Sequence, residues 1–258
     1  MHKSFCKIFR STLALLAGTT SLAFAEAAIG AEKSEKYEKS NVDPDALAAL
    51  DKMGAHLRTL ENFEIKTDTL ADSVLDNGQK VQFGGTAQYK VRRPNSFAVT
   101  VSSDRKVRQF LYDGKHFTVF SSRMGYYATV PAKPTIREMI ATAYDKFKIE
   151  LPLADLFRWG TEDDRRDDIT SAVNVGYAKI NGVDTDQYAF REGKMDWQVW
   201  IQRGEKPLPQ KIVITDTSDN AMPEFGAVLH WTTAAKFNDT TFAFNPPKDA
   251  KKITIASR

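Results

Sequence analysis

The chain has 258 residues, 42% of them hydrophobic and 11% aromatic, which is enough for one domain with its own core. The formal net charge is +3, but Lys3, Lys7 and Arg10 lie within the first 25 residues, which contain no acidic side chain. Residues 26–258 are therefore formally neutral. This neutrality argues against a nucleic-acid-binding protein, since such proteins present a basic surface.

The first 25 residues have the three parts of a secretory signal peptide: a basic start, an apolar run over 13–24 and a small-x-small end. We expect cleavage between Ala25 and Glu26. An uncleaved anchor is the alternative, but the run is short for a membrane span and contains Gly, Thr and Ser. The only cysteine, Cys6, precedes the run, so we predict a protein that is not a lipoprotein and has no disulfide or thiol chemistry.

Residues 26–42 are charged and lack periodicity, which predicts a disordered leader. Residues 43–258 are expected to form a single domain. It begins with a helix, because Asp43-Pro44 supplies an N-cap and a first-turn proline. Leucine and methionine then recur at helical spacing as far as Leu60, which gives this helix one apolar face to lay on a sheet.

Strands joined by tight turns follow the helix, and the strand that begins at Lys80 has the clearest alternation. Its apolar face carries Val81, Phe83, Gly85, Ala87, Tyr89 and Val91. Arg93 comes next on that face, where an arginine is costly unless it meets a partner or a ligand, or extends to water. Gly84-Gly85 in the middle of the strand suggests a bulge or a bend.

Two helical segments interrupt the strands. Thr135 to Glu138 reads as a capping box, and apolar residues from Ile136 to Phe147 recur at helical spacing. Leu151-Pro152 opens a second short helix. The two helices either cover the open mouth of a curved sheet or fill its core. The mixed-sign charge run over 162–168 is typical of a solvated loop.

Strands resume at Ser171 and continue through an Asn181-Gly182 hairpin to the end of the chain. Tight turns between successive strands favour antiparallel pairing over βαβ units. The predicted fold class is therefore mainly β (α+β), an antiparallel sheet of about 11 strands with an N-terminal helix.

The sequence offers no catalytic constellation. Three histidines remain after residue 25, namely His56, His116 and His230, and none belongs to a metal-binding spacing. A nucleophile elbow and a glycine-rich phosphate loop are also missing from the sequence. We therefore predict a non-enzymatic protein with no cofactor and no metal site.

Several short motifs occur in a characteristic order. They are Arg93-Pro94 with Phe97, the Asp113-Gly114-Lys115 turn, the strand at Trp197, Leu208-Pro209-Gln210-Lys211-Ile212 and the Phe242-x-Phe244-x-x-Pro247 ending. Together they resemble the periplasmic lipoprotein-carrier (LolA/LolB-like) superfamily. The chain more closely resembles an uncharacterised family of predicted periplasmic proteins assigned to that superfamily.

The resemblance implies a periplasmic protein with a strongly curved, incompletely closed barrel, whose apolar concave face accepts acyl chains beneath a helical lid. It also implies that Arg93 holds the lid shut when the protein is empty, or a polar head group when it is loaded. The expected ligand-binding residues are Arg93, Phe83, Tyr89, Val91, Phe97, Val99, Phe117, Trp197 and Val199 from the strands and Ile136, Met139, Ile140, Leu156 and Phe157 from the lid.

Two hypotheses remain. The first is a monomeric carrier for a lipid, a lipoprotein or another hydrophobic ligand, with transient membrane contact; it predicts an apolar cavity and co-purifying lipid. The second is a protein-interaction or envelope-sensing module that docks an envelope protein partner on the same half-barrel, with a filled interior. We favour the first hypothesis.

Overall fold

The computed structural model describes residues 42–161, 164 and 166–255. The predicted signal peptide and most of the predicted leader lie outside these residues. Val42, the last residue of that leader, forms an isolated parallel β-bridge with Ala172. The described fold therefore begins one residue earlier than the expected domain.

Within the described residues, twelve strands make up a single sheet. They are β1 (Asn62–Val74), β2 (Lys80–Arg92), β3 (Ser96–Ser103), β4 (Val107–Tyr112), β5 (His116–Ser121), β6 (Tyr126–Pro131), β7 (Ile169–Ile180), β8 (Val183–Glu192), β9 (Met195–Gln202), β10 (Pro209–Asp216), β11 (Glu224–Thr232) and β12 (Lys251–Lys252). Their order in the sheet is β12-β6-β5-β4-β3-β2-β1-β11-β10-β9-β8-β7. Neighbours are antiparallel except β12 and β6, which are parallel.

The sheet is not closed into a barrel, because β12 and β7 stand at opposite ends of the strand order. This confirms the predicted fold class, a mainly β, incompletely closed antiparallel barrel. The two-residue β12 accounts for the strand beyond the expected eleven. The ladder of β7 and β8 shifts register twice, between Ile169 and Ser171 and between Asn174 and Gly176.

Two α-helices accompany the sheet in the part of the chain that the structure describes. The first, α1 (Pro44–Thr59), begins at the predicted N-cap, where the Asp43 carboxylate accepts a hydrogen bond from the Asp45 N–H at 2.9 Å. The second, α2 (Ile136–Phe147), begins with the predicted capping box, in which both reciprocal hydrogen bonds are present. In the described part of the chain, no helix is both long enough and apolar enough to cross a membrane.

The second predicted lid helix is only one 3₁₀ turn, Ala154–Phe157. Two local features explain its shortness. Pro152 has no N–H to donate, and Leu153 adopts a left-handed conformation with φ of 53°. Two further 3₁₀ turns cover Arg166–Asp168 and Asp239–Thr241.

The core lies on the concave side of the sheet. Inward-facing side chains of the strands, the apolar face of α1, and buried residues of α2 and of the segment 151–157 form one buried hydrophobic cluster. Burial of this apolar surface is the main stabilising contribution to the fold. The two helical segments therefore cover the concave face and pack against it at the same time.

A bulge or a bend was expected at Gly84-Gly85. The bulge is not observed, because β1 and β2 pair without interruption from Asn62↔Arg92 to Val74↔Lys80. Gly85 instead permits close approach of the neighbouring strand. A Cβ atom at Gly85 would lie 2.8 Å from the Ser102 carbonyl oxygen. A Cβ atom at Gly84 would meet nothing within 4 Å.

The two adjacent glycines provide a matched test. Gly85→Ala should lower the free energy of unfolding by about 1–3 kcal/mol, because a backbone carbonyl in the β2–β3 ladder would have to move. Gly84→Ala should leave it unchanged or raise it by about 0.5 kcal/mol, since glycine is costly within a strand. Urea denaturation of both variants measures the difference, and equal stabilities would contradict this account of Gly85.

Candidate functional site

The apolar row predicted on β2 faces the concave side and continues across its neighbours. Ten of the fourteen predicted binding side chains are at most 4% exposed: Tyr89, Val91, Phe97, Val99, Phe117, Val199, Ile136, Met139, Leu156 and Phe157. All ten belong to the single buried cluster. The other four, Arg93, Phe83, Trp197 and Ile140, are half-buried.

Residues 132–160, called the lid segment below, cross the concave face between β6 and β7. Hydrogen bonds fix the lid segment to the sheet, among them the following three. The Ile136 N–H donates to the Pro94 carbonyl at 2.9 Å. The Tyr112 hydroxyl donates to the Lys133 carbonyl at 2.5 Å, and the Tyr89 hydroxyl donates to the Pro152 carbonyl at 3.0 Å.

Both tyrosines donate from buried positions. Burial raises the pKa of the Tyr89 hydroxyl. Burial is also the main cause of the raised pKa of Tyr112, which is about 12. The two hydroxyls therefore stay protonated at neutral pH and remain hydrogen-bond donors to the lid segment.

Arg93 lies at the end of the inward-facing row of β2, as the alternation of side chains along the strand predicts. Its guanidinium carbon is 5.9 Å from the ring centre of Phe157 in the lid segment and 6.0 Å from that of Phe63 on β1. Its Nε atom is buried and has no hydrogen-bond partner among the described residues. Burial and the positive charge of Arg58 lower the pKa of Arg93.

Trp197 forms a second contact point for the lid segment. Its ring stacks on Phe190 with centroids 4.3 Å apart and on Trp159 of the lid segment with centroids 6.2 Å apart. The indole Nε1 atom is buried and has no partner among the described residues. Arg93 and Trp197 therefore have two features in common. Each has a buried N–H donor without a partner among the described residues, and each lies near an aromatic ring of the lid segment.

Helix α1 holds the far end of the lid segment. The Arg58 guanidinium donates to the Gly160 carbonyl, and the Gly160 N–H donates to the Asp164 carboxylate at 2.7 Å. A Cβ atom at Gly54 would lie 2.9 Å from the Gly160 nitrogen, so the two backbones touch. Gly160 has φ of 70°, a conformation that favours glycine.

Phe83 does not join the other predicted binding residues. It lies toward the opposite end of β2 from Arg93, and the Arg105 guanidinium carbon is 4.4 Å from its ring centre. The period-two pattern correctly predicted the face of the sheet on which Phe83 lies. It could not predict the distance of Phe83 from the lid segment, because that distance depends on where the lid segment crosses the sheet.

Sequence reasoning did not select Phe63, Arg58, Gly54 or Gly160 for the site. Phe63 lies in an alternating pattern on β1, as Tyr89 does on β2, so the sequence could have predicted that its side chain faces inward. The contact of α1 with Gly160 joins residues about a hundred positions apart and leaves no local pattern. Within the described ranges, no three His, Cys, Asp or Glu side chains come close enough to hold a metal ion.

Comparison with known proteins gives a family match for most of the chain. Residues 46–256 match the family described as "Predicted periplasmic protein (DUF2092)". This confirms the family resemblance recognised in the sequence. Among curated proteins, none matches the chain.

Several solved structures are similar in shape at low sequence identity. LprF from Mycobacterium bovis is 14% identical, with 82% of this chain and 100% of that chain covered and a TM-score of 0.45. The lipoprotein LppX from Mycobacterium tuberculosis is 13% identical, with coverages of 76% and 100% and a TM-score of 0.47. A LolA superfamily protein from Nitrosomonas europaea is 9% identical, with coverages of 77% and 97% and a TM-score of 0.33.

The contact between α1 and the lid segment can be tested with Gly54→Ala. Alanine favours the helix by about 1 kcal/mol, but its Cβ would push against the Gly160 backbone. We expect the end of the lid segment to loosen, with faster amide hydrogen exchange over residues 156–161 than in the unaltered protein. Ala55→Ser, on the exposed side of α1, is the control. Unchanged exchange in Gly54→Ala would show that this contact does not hold the lid segment.

Proposed function

We propose that this chain, which belongs to the DUF2092 family of predicted periplasmic proteins, carries a lipid, a lipoprotein or another hydrophobic ligand on the concave face of its sheet. The observation that supports this most is a pair of buried donors beneath the lid segment, Arg93 Nε and Trp197 Nε1, which have no hydrogen-bond partner among the described residues. The proposed protein is a monomer without enzymatic activity. It is exported by a signal peptide cleaved after Ala25 and is not a lipoprotein.

Unpartnered donors favour a ligand that has acceptor atoms. A buried polar group without a hydrogen bond costs about 1–3 kcal/mol, so most such groups in proteins are paired. The guanidinium of Arg93 lies near the rings of Phe157 and Phe63, and the indole ring of Trp197 stacks on those of Trp159 and Phe190. An amphiphile with an ester, carboxylate or phosphate head group would satisfy the donors while its chain contacts the rings.

The buried cluster provides the surface for the ligand's apolar part. Removing an acyl chain from water is favourable by about 0.8 kcal/mol for each buried CH₂ group. The lining side chains are already covered by the lid segment, so the ligand must displace it. The apolar contacts that the lid loses are then replaced by contacts with the acyl chain, which keeps the cost of opening low.

Movement of the lid segment requires that hydrogen bonds between it and the sheet break. Opening at its α2 end breaks the hydrogen bonds at Pro94, Lys133 and Pro152. Each contributes about 1 kcal/mol. Arg93 would hold the closed lid through Phe157 when no ligand is bound, and would turn to the ligand's head group when one is.

The second candidate is an interaction or envelope-sensing module that docks an envelope protein partner on the half-barrel. The near-complete burial of ten predicted lining residues favours it, since a filled interior leaves the outer surface for binding. The two candidates differ in whether the lid segment opens.

Native mass spectrometry of protein purified from the periplasm without detergent, followed by organic extraction, separates the candidates. The carrier hypothesis predicts bound phospholipid or acylated peptide, either after purification or after incubation with lipid vesicles. A ligand-free mass in both experiments would reject the carrier and favour the docking module.

The role of Arg93 is tested by Arg93→Leu, with Arg92→Leu as the matched control. Loss of the charge-assisted hydrogen bond should weaken retention of a lipid with an anionic head group by about tenfold or more. The neighbouring Arg92 faces outward, where it pairs with Asp239 at 2.7 Å and packs on Phe242, so its variant should retain lipid normally. Equal retention and release by Arg93→Leu and the unaltered protein would remove Arg93 from the mechanism.

A further inference from the structure

Three chain segments meet at the end of the sheet opposite the Arg93-Pro94 turn. They are the β3–β4 turn (104–106), the β5–β6 turn (122–125) and the C-terminal segment 248–253, together called the basic rim. The Arg123 guanidinium donates to the carbonyls of Asp104 at 3.2 Å and Arg105 at 2.6 Å. The Lys251 N–H donates to the Gly125 carbonyl at 2.7 Å. The three segments therefore form one continuous surface.

The basic rim is strongly positive although the chain from residue 26 onward is neutral. Its six basic side chains are Arg105, Lys106, Arg123, Lys248, Lys251 and Lys252, and its two acidic ones are Asp104 and Asp249. All eight side chains are exposed. Such a concentration of charge on one small surface attracts an anionic partner and does not contribute to the core.

Exposed apolar side chains stand among these cations. Met124, at the tip of the β5–β6 turn, is 69% exposed. Tyr126 on β6 and Ile253 after β12 are 38% and 48% exposed. Single exposed apolar residues are ordinary on protein surfaces, but these three come from adjoining segments and share the surface with six cations.

We propose that the basic rim docks the protein reversibly on the surface of an anionic phospholipid bilayer. Basic side chains interact with anionic head groups, and neighbouring apolar side chains enter the interface between head groups and acyl chains. A bilayer suits the rim better than a folded partner does, because Met124 projects from a turn and would need a matching pocket in a protein. A fluid head-group layer accepts it without one.

This docking surface goes beyond the proposed carrier function and is separate from the lid segment. The rim lies at the β3–β4 and β5–β6 turns, whereas Arg93 and the start of α2 lie at the opposite ends of these strands. Loss of ligand retention would therefore leave vesicle binding intact, and loss of vesicle binding would leave a preloaded ligand in place.

Vesicle co-sedimentation tests the proposal, using protein purified from the periplasm and two vesicle types: phosphatidylcholine alone and phosphatidylcholine mixed with phosphatidylglycerol. We expect binding only to the vesicles that contain phosphatidylglycerol, and we expect it to weaken as salt is added. Each lysine near an anionic surface strengthens binding about fivefold, so Lys251→Gln with Lys252→Gln should weaken binding about 25-fold. Met124→Ser should cost about fivefold through lost apolar contact.

Two matched controls distinguish the rim from general surface effects. Lys115→Gln with Lys206→Gln removes two exposed lysines at the other end of the strands, in the β4–β5 and β9–β10 turns. Met222→Ser removes an apolar side chain that is 48% exposed on the β10–β11 turn, close to Asp219 and Asp216. Both controls should bind like the unaltered protein.

Any of three results would overturn the proposal: no binding to vesicles that contain phosphatidylglycerol, equal binding to both vesicle types, or equal losses in the rim variants and the controls. Circular dichroism of each variant checks that it is folded. Absence of vesicle binding, together with capture of an acidic protein that depends on Lys251 and Lys252, would assign the rim to a protein partner instead.

Discussion

Apolar side chains line the concave side of a sheet whose outermost strands do not meet, so other parts of the chain must keep water away from them. Helix α1 and the lid segment do this, and both join the same buried cluster. Burying this surface stabilises the fold through the hydrophobic effect. The same segments also decide whether another apolar molecule can reach the face. The proposed function and the stability of the protein therefore depend on one set of contacts.

The two covering elements are attached in different ways. Helix α1 precedes β1 directly and packs four buried side chains into the core, those of Ala46, Leu50, Met53 and Leu57. The lid segment connects β6 to β7. Hydrogen bonds to the sheet, aromatic contacts at Phe157 and Trp159, and the close approach of Gly160 to α1 fix it at separate places. A segment held at separate points can leave one region while it stays attached in another, as local opening requires.

Features with a short-range pattern were predictable from the sequence. Three of them depend on residues only a few positions apart, and the structure confirms each one. They are the N-cap at Asp43, the capping box at Thr135 and the inward-facing position of Arg93. Features that depend on distant packing were not predictable. Three such features follow from where the lid segment crosses the sheet. They are the approach of Gly54 to Gly160, the stacking of Trp159 on Trp197 and the distance of Phe83 from the lid segment.

The two outermost strands have a consequence for how copies of the protein behave together. An open sheet has two free edges, and a long regular edge invites hydrogen bonding with a neighbouring chain. Here one edge strand, β12, is only two residues long, and the other, β7, is interrupted by two register shifts. Neither offers an even row of N–H and C=O groups. The concave face can thus stay open at its sides without making the protein prone to edge-to-edge aggregation in a crowded compartment.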